Sequence, residues 1–309
     1  MLKWLLRISA GLIVLFATLM IGIAQGRQHS FPDDTGSLVF ELWTQDLEIY
    51  SVRPSSSAFG ADLTYLFSSS QLDVMNPTFD AFDCAPDGRS LLVHHISLAR
   101  FDLASRKLAL VPSEIAYTLG LAYAPSGDQL AFINVEDGGI FQINLDGSGL
   151  ARLTSDGSLY PTSLAWSPDG SRVVFSANAR VNGSYHFSLN IVDLTSQQVE
   201  AIYTTTANLD QVAWSPDGSR IAFEQIDGRD IDLYTIEPDG SNLTQLTDDH
   251  AKTANPRWSP DGSLISYSKL DLTGHFQLYV MNADGSDPYL VYAPPRGEDA
   301  LNLCWLKAS

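Results

Sequence analysis

The chain has 309 residues, of which 45% are hydrophobic and 17% charged, and a formal net charge of −18. That composition describes a folded protein with a substantial core and excludes a disordered chain. Lys3, Arg7 and Arg27 are the only charges in the first thirty residues, so the remainder carries −21 and is poorly suited to nucleic acid or anionic lipid surfaces.

The first element in chain order is an uncharged apolar run from Ile8 to Ala24, preceded by Lys3 and Arg7 and followed by the polar Gln25-Gly26-Arg27-Gln28. It marks residues 1–26 as an export signal or an N-terminal membrane anchor, expected as one hydrophobic helix. The run is long for a signal core and short for a membrane span, and Gly22-Ile23-Ala24 would serve as a cleavage site, so both readings stand. Either one places the remainder outside the cytoplasm, in a periplasm or at a cell surface. No Cys lies near the end of the run, which argues against a lipoprotein. Residues 27–36, with Pro32, Asp33 and Asp34, form a polar linker, and residues 37–309 are expected to be one domain.

A repeat governs that domain. Trp214-Ser215-Pro216-Asp217-Gly218-Ser219-Arg220-Ile221-Ala222-Phe223 has close copies at Trp166 to Phe175 and Trp258 to Tyr267, and weaker ones around Pro86 and Pro125. The five prolines, Pro86, Pro125, Pro168, Pro216 and Pro260, are 39, 43, 48 and 44 residues apart, a period that means stacked repeat units. Pro supplies a fixed φ, Asp accepts from nearby backbone N–H groups, and Gly tolerates positive φ, so Ser-Pro-Asp-Gly is a tight reversal between strands. Its acids, and those of a second Asp-Gly turn set at Asp146, Asp239 and Asp284, are solvated turn residues that account for much of the charge.

Each repeat predicts four short strands. In the repeat that starts at Gln211 they fall at Val212–Trp214, Arg220–Glu224, Ile231–Ile236 and Leu243–Thr247, the composition of a propeller blade. Residues 37 to 69 match a repeat that lacks its first strand, and Leu301-Asn302-Leu303-Cys304-Trp305 supplies it at the opposite end of the sequence. The expected fold is therefore an all-β, six-bladed propeller of four-stranded antiparallel blades. It is closed by the C-terminal strand joining the first blade, so no inner edge is left unpaired.

On these repeats, and on Leu278-Tyr279-Val280-Met281-Asn282-Ala283-Asp284-Gly285-Ser286, the chain resembles the TolB-like, WD-like β-propeller family. The resemblance spans residues 37 to 306. It implies the fold, and it implies function only broadly, because the same repeat occurs in envelope scaffolds and in gating domains of serine peptidases. The Gly-x-Ser-x-Gly pattern of an α/β-hydrolase nucleophile is absent from the sequence.

Candidate chemistry lies where loops enter the inner strands. Counting back from each Trp-equivalent position places Asp80, Thr162 and Asp210 at one level and Gln211, Asn255 and Asn302 one residue later, a polar rim able to hold a peptide, a sugar or a cation. The six histidines lack metal-ligand spacing, and Asp248-Asp249-His250 reads as a solvated loop, so no metal ligand and no cofactor is expected. Cys84 and Cys304 have opposite parity on strands of adjacent blades, which permits a disulfide and equally permits both to point away. The expected function is a non-catalytic, monomeric binding or scaffolding module with a protein or peptide partner in the cell envelope. The competing class is a propeller enzyme, a lyase, lactonase or glycan hydrolase, using acids at the channel mouth with calcium as a candidate ion.

Overall fold

The computed structural model describes residues 36–307, apart from 44–46, 55–62, 69–80, 95–97, 113–117, 155–158 and 296. The expected N-terminal helix lies outside the described residues. Among those described, no helix is long and apolar enough to cross a membrane.

Six antiparallel sheets of four strands form the ring. The first blade takes its inner strand, Asp299–Leu306, from the far end of the chain and pairs it with Ser37–Trp43, which leads on to Leu47–Val52 and Leu63–Ser68. The inner strands of the second to sixth blades are Ala81–Cys84, Thr118–Tyr123, Tyr160–Trp166, Asn208–Trp214 and Thr253–Trp258, and each is followed in sequence by the remaining three strands of its blade. The fifth blade runs Asn208–Trp214, Ile221–Asp227, Asp230–Ile236 and Thr244–Gln245, close to the expected bounds. In the fourth blade the second and third strands, Arg172–Val181 and Ser184–Asp193, are each 10 residues long, so the extra length at that point of the sequence becomes a projecting hairpin.

The second strands read as continuous apolar runs because both faces of every blade are covered. Side chains alternate across a strand, so Leu91 and Val93 pack towards the first blade while Leu92 packs towards the third. Val173 and Phe175 likewise pack towards the third blade, and Val174 towards the fifth. The core is accordingly six clusters, one per blade interface.

The Ser-Pro-Asp-Gly turns act within a blade and between blades. In the fifth blade Ser215 Oγ donates to Asp217 Oδ1 at 2.6 Å and accepts from the Arg220 amide at 2.9 Å, while Asp217 accepts from the Ser219 amide at 3.0 Å. Gly218, at φ 76°, has the left-handed conformation that closes the turn; a Cβ there would lie 3.3 Å from Pro168 of the preceding blade's turn. Gly262 stands in the same relation to Pro216, at 3.2 Å, so successive turns overlap around one end of the ring.

The aromatic residue that ends each inner strand also ties blades together. Trp166 Nε1 donates to Ala122 O, Trp258 Nε1 to Ala213 O and Trp305 Nε1 to Arg257 O, each at 3.2 Å. The acceptor is always the residue before the aromatic position of the preceding blade. Trp214 departs from this and donates to Gly218 O of its own turn. At the seam between the first and second blades, Cys84 occupies the aromatic position and Cys304 the acceptor position, and a disulfide joins them with their Cα atoms 5.8 Å apart.

Two expected outcomes follow from these contacts. Ser215→Ala removes a buried hydroxyl that serves both Asp217 and the Arg220 amide and should cost about 1–3 kcal/mol, read as a lower urea midpoint at unchanged m; an unchanged midpoint would show that the turn is not structural. Thiol titration of the protein unfolded without reductant should find no free thiol. Because the bridge closes a loop of 220 residues, reduction should remove up to about 5 kcal/mol in the chain-entropy view.

Candidate functional site

The position before each aromatic or Cys that ends an inner strand holds Asp83, Ala122, Ala165, Ala213, Arg257 and Cys304 around the ring, and all six line one cavity of about 410 Å³. Three alanines leave room for the one long side chain, Arg257, and Asp83 is the one acid at this level. Above them the cavity is walled by Tyr123, Trp166, Trp214, Trp258 and Trp305. The five turn prolines and Lys307 form its rim.

Irregularities in the inner strands bring further polar groups to the same depth. Register shifts occur between Asp210 and Ala213 and between Ala254 and Arg257, where two residues oppose one on the second strand. Gln211 and Asn255, inside these bulges, hold φ of 46° and 57°. A bulge re-aims side chains and frees backbone N–H groups from the ladder. Side chains of the preceding blade accept some of these: Ser163 Oγ from the Val212 amide at 3.1 Å and Glu224 Oε1 from the Asn255 amide at 2.6 Å. Asp83 Oδ2 does the same for the Tyr123 amide at 2.8 Å, while its Oδ1 accepts from the Cys84 amide at 2.8 Å.

Arg257 is the hub of this layer. Its guanidinium donates to Pro256 O at 2.9 Å and to Gln211 Oε1 at 3.3 Å, and it lies in the field of Asp83, Glu224 and Asp210. Burial lowers its pKa from the ordinary arginine value, and the three carboxylates oppose that shift. Burial likewise pushes Asp83 up to about 6, against its two amide hydrogen bonds and Arg257. Glu224 is pushed up to about 8 by burial, helped by the nearby Asp210 and opposed by the Asn255 amide and Arg257. Asp210 is also raised by burial, although it accepts from the Gln211 amide at 2.9 Å and from Thr162. One guanidinium shared by three recessed acids favours a proton on Glu224 at neutral pH.

Of the residues expected to form a rim, Thr162, Asp210, Gln211 and Asn255 meet around this layer. Thr162 Oγ1 lies 2.8 Å from Ser176 Oγ, Gln211 reaches Arg257, and Asn255 engages Glu224 through its backbone. Asp80 lies outside the described residues, as does the side chain of Asn302. The 410 Å³ cavity opens at the other end of the inner strands, where the Trp and Pro residues stand. Arg257, Asp83 and Glu224 escaped the sequence reading, though Arg257 and Asp83 depart from their repeat where three blades have Ala; Glu224 does not stand out in the same way, since the first blade has Glu41 at its position while the fourth and sixth have Ser176 and Ser268. In the Asp248-Asp249-His250 loop, Asp249 pairs with Lys269, and His250 Nδ1 is 3.7 Å from Asp230 Oδ2. Among the described residues, no group of three or more His, Cys, Asp or Glu is placed to hold a metal ion.

A closed ring of six four-stranded blades around a channel with a charged floor and an aromatic wall defines a six-bladed β-propeller. The sequence family described as the TolB beta propeller domain matches residues 183–294, from the tip of the fourth blade's hairpin through the sixth blade. Over those residues the chain is similar to the TolB beta propeller domain. Among solved structures it is similar to TolB from Acinetobacter baumannii, at 17% identity over 89% of this chain and 67% of that one, with a TM-score of 0.69. A protein of Agrobacterium tumefaciens described as TolB matches at 19% identity over 87% of this chain and 98% of that one, TM-score 0.65. An oligogalacturonate lyase from Vibrio parahaemolyticus matches at 17% identity over 69% and 64%, TM-score 0.55. At these identities the likeness is one of fold. No curated protein sequence matches the chain.

The raised acids make stability depend on pH. Below about 4 the folded and unfolded states both hold these protons. Between that point and the folded value only the unfolded state releases them, so stability falls as pH rises, up to about 6 for Asp83 and about 8 for Glu224. Glu224→Gln should therefore flatten the decline of the urea midpoint above about pH 6; a decline equal to that of the native protein would assign it to another group.

Proposed function

We propose that this chain is an extracytoplasmic binding or scaffolding propeller whose protein partner places a chain segment into the channel mouth. The observation that carries this reading is the 410 Å³ cavity, walled by one Tyr and four Trp, rimmed by five prolines and floored by Arg257. Aromatic rings and prolines offer rigid apolar contact area at little cost in conformational entropy, while Arg257 and Lys307 supply hydrogen-bond donors at two depths. The likeness to TolB propellers supports a binding module over a catalyst. In this reading residues 1–26 direct export, by a cleaved signal or a retained anchor, residues 27–36 are a linker, and 37–309 are the propeller in a bacterial cell envelope.

The test is site-specific photocrosslinking in cells. A crosslinking residue in place of Lys307 at the mouth should capture a discrete partner, whereas one in place of Leu110, 68% exposed on the outer strand of the second blade, should not. Arg257→Met should weaken that capture at least threefold. Equal capture from both positions, or none from the mouth, would sink the reading. Sequencing the mature N-terminus in the same preparation distinguishes a cleaved signal from an anchor.

A second reading is favoured by one observation: the recessed acids Asp83, Asp210 and Glu224 around Arg257, in a fold shared with an oligogalacturonate lyase. A carboxylate that holds its proton near neutral pH could serve as a general acid. Turnover of an acidic oligosaccharide, with or without calcium or manganese, that is lost in Glu224→Gln would replace the binding module with an enzyme.

A further inference from the structure

Four blades share an aromatic pair. The second-strand aromatic faces a third-strand aromatic in Phe40 and Tyr50, Phe132 and Phe141, Phe223 and Tyr234, and Tyr267 and Tyr279. Their ring centroids are 5.6 to 5.9 Å apart, with planes inclined by 20 to 26°. In the second blade both partners are small or aliphatic, Val93 and Ala99. The fourth blade alone keeps the aromatic, Phe175, and sets a polar residue, Asn190, opposite it.

Beside Asn190, between the third and fourth blades, lies a cavity of about 550 Å³, within the range of small-molecule sites. It is distinct from the channel and shares no lining residue with it. Its inner polar groups are buried: Asn190 at 2% exposure, Thr154 at 7% and Ser188 at 8%. Asn190 Nδ2 donates to Ser188 Oγ at 2.8 Å and to Ser188 O at 3.3 Å. The Asn190 side-chain carbonyl can then accept from a ligand, and the Ser188 hydroxyl can donate to one. His186 and Gln198 add polar atoms towards the surface, and Leu159 and Phe187 supply apolar wall.

The charge of this lining bears on the class of ligand. The chain has 36 acidic and 18 basic residues, yet of the fifteen described residues that line this cavity none is Asp, Glu, Lys or Arg, and His186 is the one ionisable side chain. The described lining thus offers no fixed cation to a phosphate, a carboxylate or an acidic sugar and no carboxylate to an amine, which favours an uncharged ligand. Phe175 is fully buried, so Phe187 supplies the aromatic part of the wall. Neutral hydrogen-bonding groups beside an apolar wall suit a neutral ligand with many hydroxyls and one apolar face.

We infer that the crevice between the third and fourth blades is a binding site for a neutral saccharide. Ring hydroxyls engage Asn190, Ser188 and the rim amide of Gln198, and the C–H face lies against Leu159 and Phe187. The departure of the fourth blade from the aromatic pair is what opens the room.

Saturation-transfer NMR and calorimetry on the intact protein test this with glucose, galactose, mannose, N-acetylglucosamine and their β-linked disaccharides, using galacturonate and glucosamine as charged controls. At least one neutral sugar should bind saturably, at least tenfold more tightly than either control. Asn190→Tyr restores the aromatic pair and fills the cavity, so it should abolish binding while melting is unchanged or raised. Gln198→Ala, at the surface, should weaken binding at least threefold without altering melting, which keeps the test valid if the tyrosine is not accommodated. Failure of every neutral sugar to bind at 10 mM overturns the inference, as does preference for a charged control or undiminished binding in either variant.

Discussion

Everything in this ring depends on one pairing, that of Asp299–Leu306 with Ser37–Trp43. A blade buries its apolar faces only against its two neighbours, so an open arc would leave two faces in water and two inner strands at its ends unsupported. The pairing removes both faces at once, and the Leu38, Phe40 and Trp305 side chains it brings together become part of the cluster against the sixth blade. The other seams are held by buried apolar clusters, with an indole hydrogen bond added at three of them. The seam where the closing strand meets the second blade has a covalent bond at the same two positions. Closure is thus reinforced next to the joint that the chain's connectivity does not itself secure.

The channel has a different logic. Inner strands with backbone bulges release N–H groups that need acceptors, and Asp83 and Glu224 fill that need as carboxyl groups in a recessed layer. Arg257 then becomes the single fixed cation that makes three nearby acids tolerable. The arrangement is structural in origin, since two of its acids accept backbone amides of the next blade. It also leaves a layer whose charge state changes near neutral pH, directly beneath an open aromatic funnel. Support of the frame and chemistry at the mouth are therefore not separable in these residues.

Much of the architecture was legible because its signals are local and repeated. The Pro-to-Pro spacing set the number of blades, and the isolated Leu301 to Trp305 segment revealed how the ring closes. Chemical side chains were harder, and the reason lies in the bulges. Counting back from Trp214 by alternation assumes one residue per ladder position, but the extra residue at Gln211 and at Asn255 breaks that count. The count brought Asp210, Gln211, Asn255 and Thr162 to notice and passed over Arg257, which stands next to Trp258 where a regular strand would bury it between blades. The neutral crevice was missed for another reason: Asn190 is unremarkable until its opposite number is known to be Phe175, and that register is a matter of the long hairpin.

The position of the disulfide has a consequence for the order of assembly. Cys84 precedes Cys304 by 220 residues, and the inner strand of the first blade follows all the other described strands in sequence. A growing chain can dock the second to sixth blades against each other one after another, yet the first blade stays without its inner strand until residue 306 is available. During synthesis Cys84 is a lone thiol without its native partner for 220 residues, so oxidation of this pair records completion of the ring. A chain stopped short in the sixth blade would carry a free thiol and an unpaired Ser37–Trp43 strand together, two marks by which an unfinished copy differs chemically from a finished one.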